Sequence, residues 1–217
     1  MVRRLRDIIL AITALIILSP LLIAAAVGIK LCSKGPVLFC AQRVGRNNHL
    51  FTMYKFRTMH VQQNRQSVIT AHHDPRVFSF GALLRKSKID ELPQLFNIIK
   101  GEMSFVGPRP EDPEIVAKFY SPTHYETLNV LPGLASPGSI YNYTHGEKFL
   151  DQCDPEKVYV ERLLPVKLAL DLVYVRELST LYDIQIMWRT LMAITKIALG
   201  QREFPPPPEM NRARFPA

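Results

Sequence analysis

The pattern of hydrophobic and polar positions begins with an apolar run from Ile8 to Ile29, bounded by Asp7 and Lys30. This run is long enough to cross a bilayer as one helix. Ser19-Pro20 interrupts it near the centre. Proline removes a backbone hydrogen bond and collides with the preceding turn, while serine can bond back to a carbonyl of that turn. The pattern therefore predicts an apolar helix that bends at mid-depth.

Basic residues flank the apolar run on both sides, with Arg3, Arg4 and Arg6 before it and Lys30 and Lys34 after it. A transmembrane helix usually carries its cationic excess on the cytoplasmic side only. Two cationic flanks fit a re-entrant hairpin with both ends at the cytoplasmic face, and a single kinked span stays open as the alternative. A cleaved signal peptide is disfavoured, because the run exceeds the roughly 7–15 apolar residues of such a segment.

Short apolar runs follow, and they predict an α/β fold that is mostly helical with a small β-hairpin or sheet. Alternation around the turn-forming "GRNN" cluster predicts strands near 37–43 and 50–57. Helical periodicity predicts helices over 80–87 and from Asp90 to a stop at Gly101. The other expected elements are loops at 60–76 and 131–147, a strand at 103–107, helices at 114–120, 155–176 and 180–199, and a disordered proline-rich tail over 201–217.

The last predicted helix carries the only tryptophan of the chain, Trp188, beside Arg189 and with Lys196 further on. A buried core helix is one interpretation. The other is an amphipathic helix that lies on a bilayer surface with its tryptophan among the headgroups. The pattern leaves both open.

Charge is unevenly distributed along the chain. The 217 residues include 27 Lys and Arg and 19 Asp and Glu, for a formal net charge of +8. Residues 1–110 hold 16 of the basic and 5 of the acidic side chains. A cationic first half attracts anions such as phospholipid headgroups and nucleotides. No base-reading motif accompanies it, so nucleic acid is not an expected partner.

The three cysteines, Cys32, Cys40 and Cys153, lack the spacing of a metal site. An odd number of cysteines without such spacing predicts reduced thiols. Reduced thiols indicate the cytoplasm.

Two adjacent carboxylates, Asp90 and Glu91, begin the second predicted helix just after a cationic stretch. Alone, the pair has a structural explanation, because acids in a first helical turn complement the helix dipole. Ser87 with Asp90 also fits a capping box. The neighbouring cations change this interpretation.

Arg109 lies between Pro108 and Pro110, whose fixed φ angles aim its guanidinium at low entropic cost. A fixed bidentate cation suits phosphate binding. Lys55 and Arg57 occupy alternate positions of a predicted strand and are expected on one face, where a solvated strand surface is the simpler explanation.

Together, these groups suggest phosphate chemistry. A carboxylate pair amid Arg57, Arg85 and Arg109 suggests a diphosphate bridged by Mg²⁺. The sequence has no P-loop, no GxGxxG and no pattern of a hydrolase triad.

Several stretches resemble the bacterial sugar transferase family, the monotopic phosphoglycosyl transferases. The resemblance covers roughly residues 1–200, and its central stretch is highly specific. It rests on Ser19-Pro20 and on "SKGPVLF", "QRVG", "KFRTM", "LLRKSKIDELPQLFNIIKGEMSFVGPRP" and "LPG".

This resemblance implies a re-entrant membrane hairpin over 1–34, broken at Ser19-Pro20, and a small catalytic domain over 35–200 with amphipathic surface helices. It implies a monotopic protein at the cytoplasmic face of the bacterial inner membrane, in contact with phospholipid. Members transfer a phospho-sugar from a UDP-sugar to polyprenyl (undecaprenyl) phosphate, which yields polyprenyl-diphospho-sugar and UMP. This is the first membrane step of glycoconjugate assembly.

By position, Asp90 resembles the nucleophile that forms an aspartyl phospho-sugar, and Glu91 resembles the acid that positions Mg²⁺ or the acceptor phosphate. Arg85 and Arg109 resemble diphosphate ligands, with Pro108-Arg109-Pro110 near the nucleotide. The interpretation also places both carboxylates at the metal.

Lys55 and Arg57 complete the expected phosphate and nucleotide ligands. Asp90, an ionised carboxylate at a helix start among cations, is expected to have a lowered pKa.

Other points stay open. Where many relatives continue "PGITG", this chain has "PGLASPGSIYNYTHGE", so the sugar is not determined. A homodimer is compatible with the sequence. The alternatives to a transferase are a hydrolase that uses water as acceptor and a membrane-anchored scaffold without catalysis.

Overall fold

The structure is a computed structural model that describes residues 2–61, 74–146, 149 and 155–214. Cys153 and most of the expected 60–76 loop lie outside the described residues. The elements in chain order are α1 (Val2–Cys32), β1 (Leu38–Val44), β2 (Leu50–Phe56), α2 (Ser79–Lys86), α3 (Gln94–Lys100), β3 (Ser104–Val106), α4 (Pro113–Phe119), β4 (Gly133–Ala135), α5 (Pro137–Tyr141), α6 (Pro155–Val158), α7 (Leu164–Arg176) and α8 (Thr180–Ala198).

Helix α1 is the one described helix long and apolar enough to cross a membrane by length and composition. Helix α1 continues through Pro20, so the helix does not end at the expected break at Ser19-Pro20. The Ser19 hydroxyl donates to the Ile16 carbonyl at 2.8 Å, as its position before the proline predicts.

Both ends of α1 contact the rest of the protein. At the start, Asp7 is buried and accepts a hydrogen bond from Ser104 at 2.6 Å. At the end, Ser33 is buried and bonds the guanidinium of Arg57 at 2.7 Å. Between these ends Ala11 and Ala25 are buried, whereas other apolar side chains are exposed, including Ile12, Ile16, Ile17, Ile23 and Val27.

The predicted β-hairpin is confirmed, with β1 and β2 paired antiparallel from Leu38–Phe56 to Val44–Leu50. Helix α3 packs on this hairpin. The fully buried Asn97 fixes the contact, since it donates to the Thr52 carbonyl at 2.7 Å and accepts from the Tyr54 backbone at 3.1 Å.

The predicted helix at Asp90 begins differently from expected. A 3-10 turn spans Ile89–Glu91, and α3 starts at Gln94. The expected capping box is absent, because the Ser87 hydroxyl donates backward to the Leu83 carbonyl at 2.8 Å. Gly101 ends α3 in the left-handed conformation, as predicted.

The expected loop over 131–147 is partly regular, which corrects the prediction. It contains β4, which pairs in parallel with the predicted strand β3, then α5 and a π turn over Asn142–Gly146. A Cβ on Gly133 would lie 2.1 Å from the Gly107 nitrogen, so this close pairing requires glycine. Glycine and proline are typical of loops, but in this stretch Gly133 allows the close pairing of β4 with β3, and Pro137 begins α5.

Helix α8 shows an apolar face to the outside. Trp188 is 60% exposed, and Leu181, Ile184 and Leu191 on the same face are also exposed. The opposite face, with Ile186 and Ala193, is buried against β3 and β4. Helix α8 therefore contributes one face to the core, while the face with Trp188 is exposed, as in the amphipathic interpretation.

The described part of the proline-rich segment, residues 201–214, is fixed to the rest of the protein, unlike the disordered tail expected from its composition. Its 3-10 turn over Pro208–Asn211 buries Glu209 completely. The Glu209 carboxylate accepts from Tyr182 at 2.7 Å and from Arg189 at 2.6 Å, and these bonds fix the segment to α8.

Candidate active site

The carboxylates of Asp90 and Glu91 are both buried, with 8% and 9% of their surface exposed. They lie on the 3-10 turn that links α2 to α3. Lys88 opens this turn in the left-handed conformation, with φ of 57°. The chain thereby reverses just before the acids and turns them inward, next to β2.

Glu91 is neutralised by two cations. Arg109 binds it in bidentate fashion, with Nη2 at 2.6 Å from Oε1 and Nη1 at 3.1 Å from Oε2. The Lys55 ammonium lies 3.3 Å from Oε1. Burial alone would raise the pKa of Glu91, but Arg109 and Lys55 outweigh it and hold that pKa well below its usual value.

Asp90 has a different environment from its neighbour. Its Oδ1 atom is buried and has no hydrogen-bond partner among the described residues. Burial, followed by the adjacent charge of Glu91, raises the pKa of Asp90 to about 6. The expectation of a lowered pKa is therefore wrong for Asp90, because desolvation outweighs the attraction of nearby cations.

Arg85 is brought to the carboxylates by α2. Its Nε donates to the Thr58 hydroxyl at 2.8 Å, which fixes the side chain. Burial lowers the pKa of Arg85, and the charge of Asp90 is the strongest influence in the opposite direction.

Arg57 lies apart from this group, although the sequence places it on one face with Lys55. Strand β2 ends at Phe56, although the Arg57 backbone N–H still donates to the Val37 carbonyl at 2.8 Å. The Arg57 guanidinium donates to Ser33 and to the carbonyls of Pro36 and Met59. It joins the end of α1 to the rest of the domain, and the structure does not bring it to the carboxylates.

The Pro108-Arg109-Pro110 segment is supported from behind by α7. The Asp171 carboxylate accepts backbone hydrogen bonds from Gly138, at 2.8 Å, and from Arg109. One turn earlier, Lys167 donates to Glu111 at 2.7 Å. Lys167 and Asp171 share a face of α7, so one helix fixes the backbone on both sides of Pro110.

Sequence reasoning missed Tyr143 and Lys88. The Tyr143 hydroxyl accepts from Nη1 of Arg109 at 3.1 Å, and the Lys88 ammonium lies 3.9 Å from the centre of the Tyr143 ring. Tyr143 belongs to the stretch that departs from the usual motif, so no motif marked it.

The site thus contains the buried carboxylate of Asp90, with one oxygen that has no partner among the residues the structure describes, and the neutralised carboxylate of Glu91. Four cations surround them: Lys55, Arg85, Lys88 and Arg109. This arrangement suits an anionic ligand, and the sequence carries the motifs quoted above. The family model of bacterial sugar transferases matches residues 1–197. The chain belongs to the bacterial sugar transferase family.

Curated relatives agree with this membership. A UDP-N-acetylgalactosamine-undecaprenyl-phosphate N-acetylgalactosaminephosphotransferase of Aeromonas hydrophila is 36% identical over 89% of this chain and 43% of its own length. A UDP-glucose:undecaprenyl-phosphate glucose-1-phosphate transferase of Xanthomonas campestris pv. campestris is 37% identical over 92% of this chain and 39% of its length.

A UDP-glucose:undecaprenyl-phosphate glucose-1-phosphate transferase of Caulobacter vibrioides is 33% identical over 88% of this chain and 69% of its own length. The chain spans less than half the length of the Aeromonas and Xanthomonas relatives. The relatives differ in the sugar that their names state.

Proposed function

We propose that this sugar transferase moves a phospho-sugar from a UDP-sugar to undecaprenyl phosphate and releases UMP. The observation that carries the proposal is the buried Oδ1 of Asp90, which lies beside the Arg109–Glu91 pair and has no hydrogen-bond partner within the described ranges. A buried carboxylate oxygen without a donor is costly. Such a cost is typical of a reactive site rather than of a structural one.

Asp90 acts as the nucleophile in this proposal. One of its carboxylate oxygens bonds to the sugar-bearing phosphorus of the UDP-sugar, and the bond from that phosphorus to the UMP oxygen breaks. UMP leaves with the electron pair. An oxygen of undecaprenyl phosphate then bonds to the same phosphorus, and the carboxylate of Asp90 is released.

The surrounding cations make the approach of two anions feasible. Arg85 and Arg109 bind the diphosphate, and Lys55 adds positive charge beside Glu91. Arg57 is left out of these ligands, because its donors bind the end of α1. Pro108 and Pro110 hold the Arg109 backbone next to the nucleotide.

The carboxylate pair also fits Mg²⁺. This ion typically takes one or two carboxylates together with substrate phosphates, and the described residues hold no cluster of three or more metal-ligating side chains. Asp90 and Glu91 would hold the ion, and the free Oδ1 of Asp90 suits that role. When bound, Mg²⁺ supplies neutralisation of the diphosphate charge.

Membrane attachment is proposed to be re-entrant, at the cytoplasmic face of the inner membrane. The contacts of Asp7 with Ser104 and of Ser33 with Arg57 hold both ends of α1 on one domain. A straight span would carry one end to the opposite side of the bilayer. The exposed apolar middle of α1 and the exposed face of α8 around Trp188 supply the lipid-facing surface.

Labelling can test this topology. Val2 and Cys32 are exposed at the two ends of α1. In a background with the other cysteines replaced by serine, Val2→Cys and Cys32 should both react with an impermeant maleimide in inside-out vesicles, and neither should react in intact spheroplasts. Reaction of the two ends from opposite sides would establish a span.

An acceptor-dependence assay tests the reaction. The protein is incubated with Mg²⁺ and each of several UDP-sugars, with or without undecaprenyl phosphate, and UMP is quantified. The transferase predicts continuous UMP release only with the lipid and one preferred sugar. Equal sustained release without the lipid would indicate a hydrolase, and no release in either condition would favour the scaffold.

A further inference from the structure

Tyr143 is a buried aromatic residue next to the cations of the site, in the stretch where this chain departs from the usual family motif. It is placed by the π turn over Asn142–Gly146, a wider turn that is frequent at functional sites. The turn is held by neighbouring bonds, from the Thr144 hydroxyl to the Ile140 carbonyl at 2.8 Å and between His145 and the Phe204 carbonyl at 3.2 Å.

The hydrogen bonds of Arg109 define which part of its guanidinium remains for a ligand. Nη1 has two hydrogens, one directed to Glu91 Oε2 and the other to the Tyr143 hydroxyl. One hydrogen of Nη2 binds Glu91 Oε1. Across the described part of the chain, Nε–H and the second Nη2–H have no protein acceptor, and 20% of the side chain is exposed.

These two remaining donors lie on one edge of the planar guanidinium and point in parallel. Such an edge is a bidentate partner for two oxygens of a phosphate group. Glu91 binds the Nη1–Nη2 end of the guanidinium, and Tyr143 accepts the second hydrogen of Nη1. Rotation of the guanidinium would break one of these contacts.

We propose that Tyr143 is a positioning residue that fixes Arg109 so that its Nε–Nη2 edge faces the diphosphate of the substrate, an inference that rests on the proposed function. The stretch around Tyr143 thereby contributes to the phosphate site.

The test measures UDP binding and turnover in Tyr143→Phe. This variant removes the hydroxyl and retains the ring under Lys88. We expect the Kd for UDP to rise about tenfold and kcat/KM to fall by a similar factor, the usual cost of a hydrogen bond to a charged group. Binding of uridine, which lacks the phosphates, should stay unchanged. Tyr141→Phe, from the same stretch, is the matched control and should bind UDP like the wild type.

A double-mutant cycle on UDP binding separates positioning from a general structural role. Arg109→Lys lacks the planar edge, so adding Tyr143→Phe to it should weaken binding no further. An equal loss in both backgrounds would overturn the proposal, and so would a single variant within twofold of the wild type. Absence of UMP release by the wild-type protein would instead contradict the proposed function.

Discussion

Two carboxylates of the protein are buried to nearly the same extent. Glu111, which follows the Pro108-Arg109-Pro110 segment and binds α7, is 9% exposed, and Asp90 of the candidate site is 8% exposed. Glu111 accepts from Lys167 at 2.7 Å and from Tyr159 at 2.5 Å. Burial would raise its pKa, but these partners lower it. Asp90 has an oxygen without a partner in the part of the chain that the structure describes, and its pKa is raised.

The missing partner, rather than the pKa, separates the two regions. Asp171 is also buried with a pKa raised to about 7, yet it accepts hydrogen bonds from Gly138, Ser136 and the Arg109 backbone. Its bonds serve the fold. A satisfied buried carboxylate stabilises the protein, whereas Asp90 is left available for chemistry.

The largest expected effect is on turnover in Asp90→Asn. The amide cannot form the acyl phosphate, so UMP release should fall on the order of a thousandfold or more. Thermal stability should stay equal or rise, because a costly buried charge is removed. Calorimetry and the UMP assay together check this. A variant that loses both activity and stability would place Asp90 with the structural carboxylates.

The converse is expected for Lys167→Met, which leaves Glu111 buried without its cation. Breaking a buried pair in this way typically costs about 3–5 kcal/mol. Urea denaturation should show this loss. The double variant Lys167→Met with Glu111→Gln should recover part of it, because no unpaired charge remains. A fully stable single variant would contradict the structural role.

Arg57 provides a test of the corrected site. In Arg57→Lys the charge remains but the fork that binds Ser33 and Pro36 is lost. We expect the free energy of unfolding to decrease by about 2 kcal/mol. The KM for the UDP-sugar should remain unchanged. A raised KM with unchanged stability would return Arg57 to the phosphate ligands.

The smallest effect is expected from pH. Asp90 must be ionised to attack and to hold Mg²⁺, and its pKa without the metal is about 6. Protons therefore compete with Mg²⁺ for this carboxylate, so at limiting Mg²⁺ the rate of the first UMP release should be at its plateau above about pH 7 and fall below pH 6. Measuring it without undecaprenyl phosphate keeps the titration of the acceptor out of the profile. A flat profile between pH 5 and pH 7 would contradict the raised pKa.

Local sequence signals predicted the long apolar helix, the hairpin and the ends of most helices. They failed where contacts between distant parts of the chain determine the local structure or the pKa. The pKa of Asp90 depends on burial, which no local pattern contains. The order of the proline-rich segment depends on Tyr182 and Arg189, which lie on another element.

The sequence also predicted only part of the candidate site. Motif positions brought Lys55, Arg85 and Arg109 to the carboxylates, as the hydrogen bonds and charges around Glu91 and Asp90 indicate. Arg57 does not reach the carboxylates, because its guanidinium binds Ser33 and the carbonyls of Pro36 and Met59. Tyr143 was missed because its contact with Arg109 joins residues far apart in sequence.

The most direct test of the central claim is the intact mass of the protein after incubation with Mg²⁺ and each UDP-sugar, without a lipid acceptor. Covalent catalysis predicts a mass increase of one phospho-sugar for the preferred substrate, located at Asp90 by peptide mapping and absent in Asp90→Asn. The adduct should disappear when undecaprenyl phosphate is added. UMP release that requires the lipid, with no adduct under any condition, would mean direct transfer and contradict the role of Asp90 as nucleophile.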